Sequence, residues 1–345
     1  GAAVSRATPH VALNCTAYDA LPSGARTRAI GLASGLAAAG ARVTLYVSAG
    51  LSLRPAIESE LGAPLPGDAF REIETPLDSA RPIVRAARSE RWFRRHLAAD
   101  ADLFVTAYYP VVARVRTALT IHDLRYIASP ADEPRHRVVW FRTSYARTAA
   151  RAPHVVVPSA AVGSEAVFHL GLDAARIVVV GNGLGRAWRD APPRPADPQH
   201  LVWVGTSERR KRLALLLRAY AIAASDEPLL PLVLVGRGAA EDLPRPGRAL
   251  VEAGHVRTLG VVSDAELVDV VRCAAVLLHT SRYEGFGMPV LEALALGTPV
   301  VAADIPAVRE VAAGGARLIA SPDLRAWSAV LREVGGRRRC VLRPA

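Results

Sequence analysis

From residue 11 to residue 320 the chain alternates short, β-branched apolar runs with longer stretches of helical pattern, and this alternation restricts the fold more than any other feature. Strand-like runs fall at about 11–18 (VALNCTAY), 42–48 (RVTLYVS), 102–108, 118–122, 154–158 and 176–180, and again at 201–205, 232–236, 256–260, 275–280, 299–303 and 317–320. Helical patterns intervene at about 26–39, 135–150, 159–170, 211–224, 264–272, 288–296, 306–313 and 323–333. Parallel strands need a crossover connection, and a helix is the usual one. Repeated βα units therefore predict parallel sheets covered by helices on both faces.

The alternation is interrupted once, by "DAPPRPADPQH" (190–200), which carries Pro192, Pro193, Pro195 and Pro198. Prolines this dense fit neither a helix interior nor a central strand, so the segment reads as a linker with the boundary at residue 193. The expected organisation is two Rossmann-like, doubly wound α/β domains, 1–193 and 194–345, joined by a hinge with an interdomain cleft. With 345 residues and 51% hydrophobic side chains, each half can build its own core and global disorder is excluded. Open parallel sheets bind ligands beyond the carboxyl ends of their strands, so candidate residues are sought there.

One such end is "YEGFGMPVLEALALGTPVV" (283–301), after the apolar run "AAVLLHT" (274–280). Pro289 suits a first helical turn, because its ring presets φ and its missing N–H removes no hydrogen bond there. A helix is thus predicted from about Met288 to Gly297, which can take the left-handed terminating conformation. Gly285 and Gly287 let the loop backbone approach a ligand, and the helix start offers unpaired N–H groups and partial positive charge, which suits an anion. Glu292 lies one turn into this apolar helix, where a carboxylate is costly unless hydrogen-bond donors meet it. A vicinal diol would supply two. Glu284, at the loop entrance, faces whatever lies beyond the anion. On these residues alone, a structural junction with both acids favouring the positive helix end fits equally well.

Three further strand ends carry chemistry. The run 201–205 leads into "GTSERRKRLALLLRAYA" (205–221), with Arg209, Arg210 and Lys211 placed at the start of the next helix. Cations there oppose the helix dipole, so an anion is expected among them; a solvated basic turn is the simpler alternative. "TIHDL" (120–124) puts His122 and Asp123 at a strand end, where a lone histidine is otherwise most often structural. The first βα turn, "YDALPSGARTRAIGL" (18–32), has Pro22, Ser23 and Gly24, without the spaced glycines of a dinucleotide fingerprint. "DAD" (100–102) precedes a strand, at the end opposite the expected ligand, and reads as structural. "GRGAAE" (236–241) fails at its third glycine and reads as an ordinary βα turn.

The net charge of +11 could signal nucleic acid or an anionic membrane. Yet the basic residues are scattered arginines with a single lysine, Lys211, a skew read most simply as codon composition. With 6% aromatics there is no stacking platform for bases, and nucleic acid is not expected as a partner. Cys15, Cys273 and Cys340 are too far apart for a metal site and suit a reducing compartment. No signal peptide opens the sequence, and the least charged stretch, 31–51, is broken by Arg42 and glycines, so a cytoplasmic protein is expected. In "VRAARSERWFRRHL" (84–97), arginines at 85, 88, 91, 94 and 95 flank Trp92 and Phe93. Such a helix could rest on the inner face of an anionic membrane, although an exposed basic helix with its aromatics turned inward is the favoured reading.

Glu284 and Glu292, with "GFGMPVL" between them, form an E-x7-E pattern that resembles retaining glycosyltransferases of family 4, whose fold is GT-B. "TIHDL", "VVPSAAVGSEAVFHLGLDAARIVVVGNG" (156–183), "WVGTSERRKRLALLLRAY" (203–220), "VRTLGVVSDAELVDVVRCA" (256–274) and "GTPVVAADIPAVREVA" (297–312) follow in family order. The resemblance implies transfer of a sugar, with retention, from a nucleoside diphosphate sugar such as GDP-mannose or a UDP-sugar to a hydroxyl acceptor: a small molecule, a glycan or a lipid-linked acceptor. It implies no metal and no separate cofactor, and a front-face route in which the leaving diphosphate takes the acceptor's proton. Carried over by position, Glu292 would hold the ribose hydroxyls. Glu284 and the amides of Gly285, Phe286, Gly287 and Met288 would hold the sugar and nearby phosphate. Lys211 and Arg210, at the turn after Gly205, would bind the diphosphate. His122 would approach the transferred sugar, Ser23 and Gly24 the phosphates, and Leu259 and Gly260 would pack the base. Thr206 stands where some members have arginine. The ending "GGRRRCVLRPA" lacks an aromatic-rich segment of the kind that crosses back to the first domain, which implies looser closure. A non-catalytic sugar-nucleotide-binding protein, an epimerase or a phosphorylase of the same fold is the alternative.

Overall fold

The computed structural model describes residues 8–18, 23–77, 82–107, 114–239, 243, 245–320 and 322–336. Pro22, Cys340, the end of the 236–241 turn and the terminal "RRRCVLRPA" stretch lie outside these residues, as does the side chain of Arg85. The chain divides into two compact units, Gly1–Arg186 and Ala187–Ala345. The proline count placed the boundary at residue 193; the units part ahead of those prolines.

In the first unit the order is β1 (His10–Asn14), α1 (Gly24–Ala38), β2 (Arg42–Ser48), α2 (Arg54–Leu61), β3 (Phe70–Thr75), α3 (Pro82–His96), β4 (Leu103–Ala107), β5 (Arg116–Thr120), α4 (Arg125–Ala128), α5 (Arg135–Arg151), β6 (His154–Val157), α6 (Ala160–Leu170) and β7 (Ile177–Val179). The division falls within α7 (Arg186–Arg189). All strands pair in parallel, in the order β3-β2-β1-β4-β5-β6-β7. The inner strands β1 and β2 are buried almost throughout, as expected for a sheet covered on both faces. On one face Leu13, Leu45 and Phe70 pack with Leu53 and Ile57 of the α2 segment. On the other, Tyr46, Phe93 and Phe104 meet edge to face or tilted, with ring centroids 5.0–5.2 Å apart.

The second unit continues with β8 (His200–Val204), α8 (Leu213–Asp226), β9 (Leu232–Val235), α9 (Arg245–Glu252), β10 (Val256–Gly260), α10 (Asp264–Arg272), β11 (Ala274–His279), α11 (Met288–Ala295), β12 (Val300–Ala303), α12 (Pro306–Ala312), β13 (Ala316–Ile319) and α13 (Leu324–Gly335). Its sheet is also wholly parallel, in the order β10-β9-β8-β11-β12-β13. Trp203, Tyr220 and Trp327 fill the core beside Leu216, Leu217 and Leu331. A side chain of that size contributes about 2–3 kcal/mol when fully buried.

In each sheet the strand order reverses once, between β1 and β4 and between β8 and β11. At such a switch the following helices diverge to opposite faces and leave a crevice at the strand ends. Cys15 is buried, which pushes its thiol up to about 12 and makes it a poor nucleophile, and Cys273 is a free, half-buried thiol. Asp102 accepts the His10 N–H at 2.8 Å, and Asp100 pairs with His10 and Arg42, so this aspartate pair serves the start of the sheet.

Candidate functional site

The loops after β8 and β11 flank the reversal of the second sheet. The residues Arg209–Lys211 form a single 3-10 turn, and Arg212 adopts a left-handed conformation (φ 52°) before α8 begins. The cations therefore precede the helix, where the sequence pattern placed them in its first turn. Cross-ties to the neighbouring loop explain the detour. Thr280 Oγ1 donates to the Lys211 carbonyl at 2.8 Å, and the Arg282 N–H to the Arg210 carbonyl at 2.8 Å. Trp203 Nε1 in turn donates to Thr280 Oγ1 at 3.3 Å.

This arrangement leaves the Arg210 and Lys211 side chains on Glu284. Lys211 Nζ lies 2.6 Å from Glu284 Oε1, Arg210 Nη1 lies 3.1 Å from Oε2, and His279 Nε2 lies 3.4 Å from Oε1. Lys211 is 8% exposed and His279 2%. Burial alone would raise the Glu284 pKa, but Lys211, His279 and Arg210 outweigh it and hold the carboxyl well below the usual range. The anion expected among the cations is thus, within the protein, Glu284. Arg210 also pairs through Nε with Glu208 at 2.6 Å, and Nη1 donates to the Tyr283 carbonyl at 3.3 Å. Thr206 Oγ1, at the end of β8, is buried with no hydrogen-bond partner among the described residues.

Beyond Glu284 the chain passes Gly285 and half-buried Phe286 to Gly287, the cap of α11, whose φ of 103° requires glycine. Met288 opens the helix with Pro289 in its first turn, and Gly297 terminates it at φ 69°, both as the sequence predicts. Glu292, in the middle of α11, is half-buried, and no donor among the described residues meets its carboxyl group. Burial and, secondarily, Asp264 push its pKa up to about 7 against the opposing pull of Lys211. An unpaired acid of this kind accepts a ligand's hydroxyl donors at little cost to the protein.

At the ends of β8, β9 and β10 stand Gly205, Gly236 and Gly260. Gly236 N–H donates to the Gly260 carbonyl at 2.7 Å, and a Cβ on Gly236 would fall 1.9 Å from the Gly205 carbonyl oxygen. The strand ends therefore approach as bare backbone. Leu259 and Val261 are exposed beside them.

The remaining candidates belong to the first unit. Ser23 caps α1, accepting the Arg26 N–H at 3.3 Å, and Gly24 is the first residue of that helix. His122 lies just past β5; burial and the Arg28 guanidinium push its imidazole down to about 3, so the ring is neutral above pH 5. Arg28 is itself anchored, with Nη1 2.8 Å from the Val180 carbonyl and 2.6 Å from Asn182 Oδ1. Asp123 Oδ1 accepts the Arg125 N–H at 3.2 Å and so shapes the turn into α4. In α3, Phe93 is buried and Trp92 stacks on His96 with ring centroids 4.6 Å apart, so the aromatics pack against protein as favoured from the sequence. Arg88, Arg91, Arg94 and Arg95 remain exposed.

The sequence reading missed His279, which was absorbed into an apolar strand. The criterion that selected His122, a histidine at the carboxyl end of a parallel strand, would have found it.

Comparisons with known proteins bear on the family and the fold. The family model described as Glycosyltransferase Family 4 matches residues 22–185, and the one described as Glycosyl transferases group 1 matches residues 186–334. The O-antigen chain mannosyltransferase B of Escherichia coli is 32% identical over 60% of this chain and 58% of its own length. The phosphatidyl-myo-inositol mannosyltransferase of Mycolicibacterium smegmatis is 36% identical over 47% of this chain and 43% of its own. The chain thus spans less than two thirds of the length of these relatives. Among solved structures, Anabaena Alr3699/HepE in complex with UDP and glucose superposes with a TM-score of 0.69 at 18% identity, over 95% of this chain and 89% of that one. WaaG, a glycosyltransferase involved in lipopolysaccharide biosynthesis, gives 0.69 at 19% identity, over 94% of this chain and 90% of that one. At this identity the likeness shows the fold, which is GT-B as the sequence implied. No helix among the described residues is long and apolar enough to cross a membrane.

Proposed function

Because the chain belongs to glycosyltransferase family 4, we propose that it transfers a hexosyl group, with retention and without a metal, from a nucleoside diphosphate sugar to a hydroxyl acceptor. The observation that carries this reading is the buried Lys211–Glu284 pair at 2.6 Å. In a chain with 43 lysines and arginines, the single lysine occupies this position. Composition alone would have made it an arginine. A compact ammonium offers a point charge to a phosphate oxygen where a planar guanidinium demands a bidentate partner, so the exception has a chemical reason.

On this reading an incoming diphosphate draws Lys211 and Arg210 onto its oxygens, helped by the Thr206 hydroxyl and the amides from Gly285 to Met288. Glu284, relieved of its cations, faces the sugar hydroxyls. Glu292 ionises as it accepts the two ribose hydroxyls, and the base lies over Gly205, Gly236 and Gly260 against Leu259. Neither glutamate is placed as a nucleophile. The acceptor hydroxyl attacks the anomeric carbon on the face the diphosphate leaves, and the departing phosphate oxygen takes its proton. The chain's contribution is positioning and stabilisation of the developing phosphate charge by Lys211. The roles carried to Ser23, Gly24 and His122 in the first unit belong to the same proposal.

Relatives named as mannosyltransferases favour GDP-mannose, whereas the UDP-bound structural neighbour keeps UDP-sugars in consideration. Acceptors named in relatives range from an O-antigen chain to a phosphatidylinositol and an inositol phosphate, so what is proposed is only a hydroxyl on a small-molecule, glycan or lipid-linked acceptor. A thermal-shift screen with UDP, GDP, dTDP and their sugar conjugates, followed by product analysis with an acceptor panel, tests the proposal. Stabilisation by one diphosphate family and its sugar conjugate is expected; indifference to every nucleotide would remove the reading.

A further inference from the structure

Glu284 has three side-chain partners among the described residues, and two of them are the cations a diphosphate needs. Once Lys211 and Arg210 turn to phosphate, a carboxylate that is nearly buried would be left beside a second anion, a costly position. The third partner is His279. Its ring is 2% exposed, on the last residue of β11, and therefore fixed by the sheet rather than by a loop. Nε2 points at Glu284 Oε1 across 3.4 Å and makes no hydrogen bond to any described residue. A shift of a few tenths of an ångström brings this pair into hydrogen-bond range.

We infer that His279 is a positioning residue that takes over Glu284 when nucleotide claims the two cations, holding the carboxylate toward the sugar. This rests on the glycosyltransferase reading and adds to it the group that keeps Glu284 oriented during transfer. The geometry has a physical logic. Lys211 and His279 share Oε1, so departure of the ammonium frees the lone pair that Nε2 already faces. The groups facing the imidazole are Glu284, Lys211 and Arg210. In the structure, burial and the two cations oppose protonation of His279, while Glu284 favours it. Moving both cations onto phosphate removes their share of the opposition, leaves burial, and strengthens Nε2–H as a donor to the carboxylate.

A structural histidine and a positioning one differ in what their loss affects. Binding of the bare diphosphates UDP and GDP is compared with binding of UDP-glucose, UDP-N-acetylglucosamine and GDP-mannose by titration calorimetry, in the wild-type chain, His279→Leu and His279→Gln. In His279→Leu the bare diphosphate should bind more weakly, because Glu284 loses the partner that receives it, and the additional affinity conferred by the sugar should fall by about a further tenfold, the loss of one hydrogen bond to a charged group. His279→Gln, which retains a donor, should recover part of it. Equal weakening of diphosphate and conjugate, or no weakening of either, would overturn the inference while leaving the glycosyltransferase reading intact. Failure of the wild type to bind any of the five ligands, or dTDP and its sugar conjugates, would instead overturn that reading. Should His279→Leu fail to fold, nitrogen-15 histidine spectra of the wild type decide. The conjugate must bring the His279 signal into a hydrogen-bonded state, and an unmoved signal refutes the handover.

Discussion

Replacing Glu292 with glutamine should make the protein more stable at alkaline pH and poorer at binding nucleotide. The carboxyl is half-buried in α11 with no donor beside it, and burial, aided by Asp264, lifts its pKa from 4.5 to about 7. The folded chain thus favours the protonated acid, whereas the unfolded chain releases the proton near 4.5. The group's contribution to stability is whole below pH 4.5 and is lost as the pH rises through 7. Each pKa unit corresponds to about 1.4 kcal/mol, so the loss by pH 8 is about 2–3 kcal/mol once partial exposure is discounted. Glu292→Gln, neutral at every pH, should match the wild type in urea denaturation near pH 4 and exceed it by about that amount at pH 8. The same change removes the charged acceptor proposed for the ribose hydroxyls. Hydrogen bonds to charged groups contribute about 1.5–3 kcal/mol, so UDP or GDP should bind the variant about 10 to 100 times more weakly. In the wild type, nucleotide binding near pH 6 should release a proton, detected calorimetrically in buffers of different ionisation enthalpy. A variant no more stable than wild type at pH 8, or one with unchanged nucleotide affinity, would refute the reasoning.

Lys211→Ala should reduce turnover about 10²–10³-fold, the usual effect of losing one preorganised charge-stabilising donor, and Lys211→Arg should restore it only in part. An alanine variant with wild-type turnover would exclude Lys211 from the mechanism. Gly236→Ala places a methyl group 1.9 Å from a backbone oxygen at φ 126°, and should cost about 2–4 kcal/mol in urea unfolding. A neutral result there would mean the strand ends are not held as closely as described. If a lipid-linked acceptor is used, the exposed Arg88, Arg91, Arg94 and Arg95 of α3 should carry the chain onto anionic liposomes, with cosedimentation weakening as salt is raised. Salt-insensitive binding, or none, would assign that helix no membrane role.

The βα rhythm was legible because inner strands buried on both faces read as continuous apolar runs, as β9, β11 and β12 do, and among the described residues one strand of thirteen was missed. The exception, β3, is an edge strand with alternating charge (FREIET), and its apolar content was too sparse to separate it from a loop. The helix after Glu284 was fixed locally by Pro289 and Gly297. What the sequence could not show was partnership across long separations. Nothing local tells that Thr280 anchors the Lys211 carbonyl, or that Lys211 reaches a carboxylate seventy-three positions away. The RRK turn was read as part of a helix because its departure is imposed by those cross-ties and by Arg212, a non-glycine residue in a left-handed conformation that sequence pattern disfavours.

The chain's single side-chain amine has a practical corollary. Across these 345 residues, surface acylation, methylation or amine crosslinking finds no lysine to modify except one held 8% exposed against a carboxylate. Among the side chains of these 345 residues, a carbon-13 methyl tag on an amine would therefore report Lys211 alone.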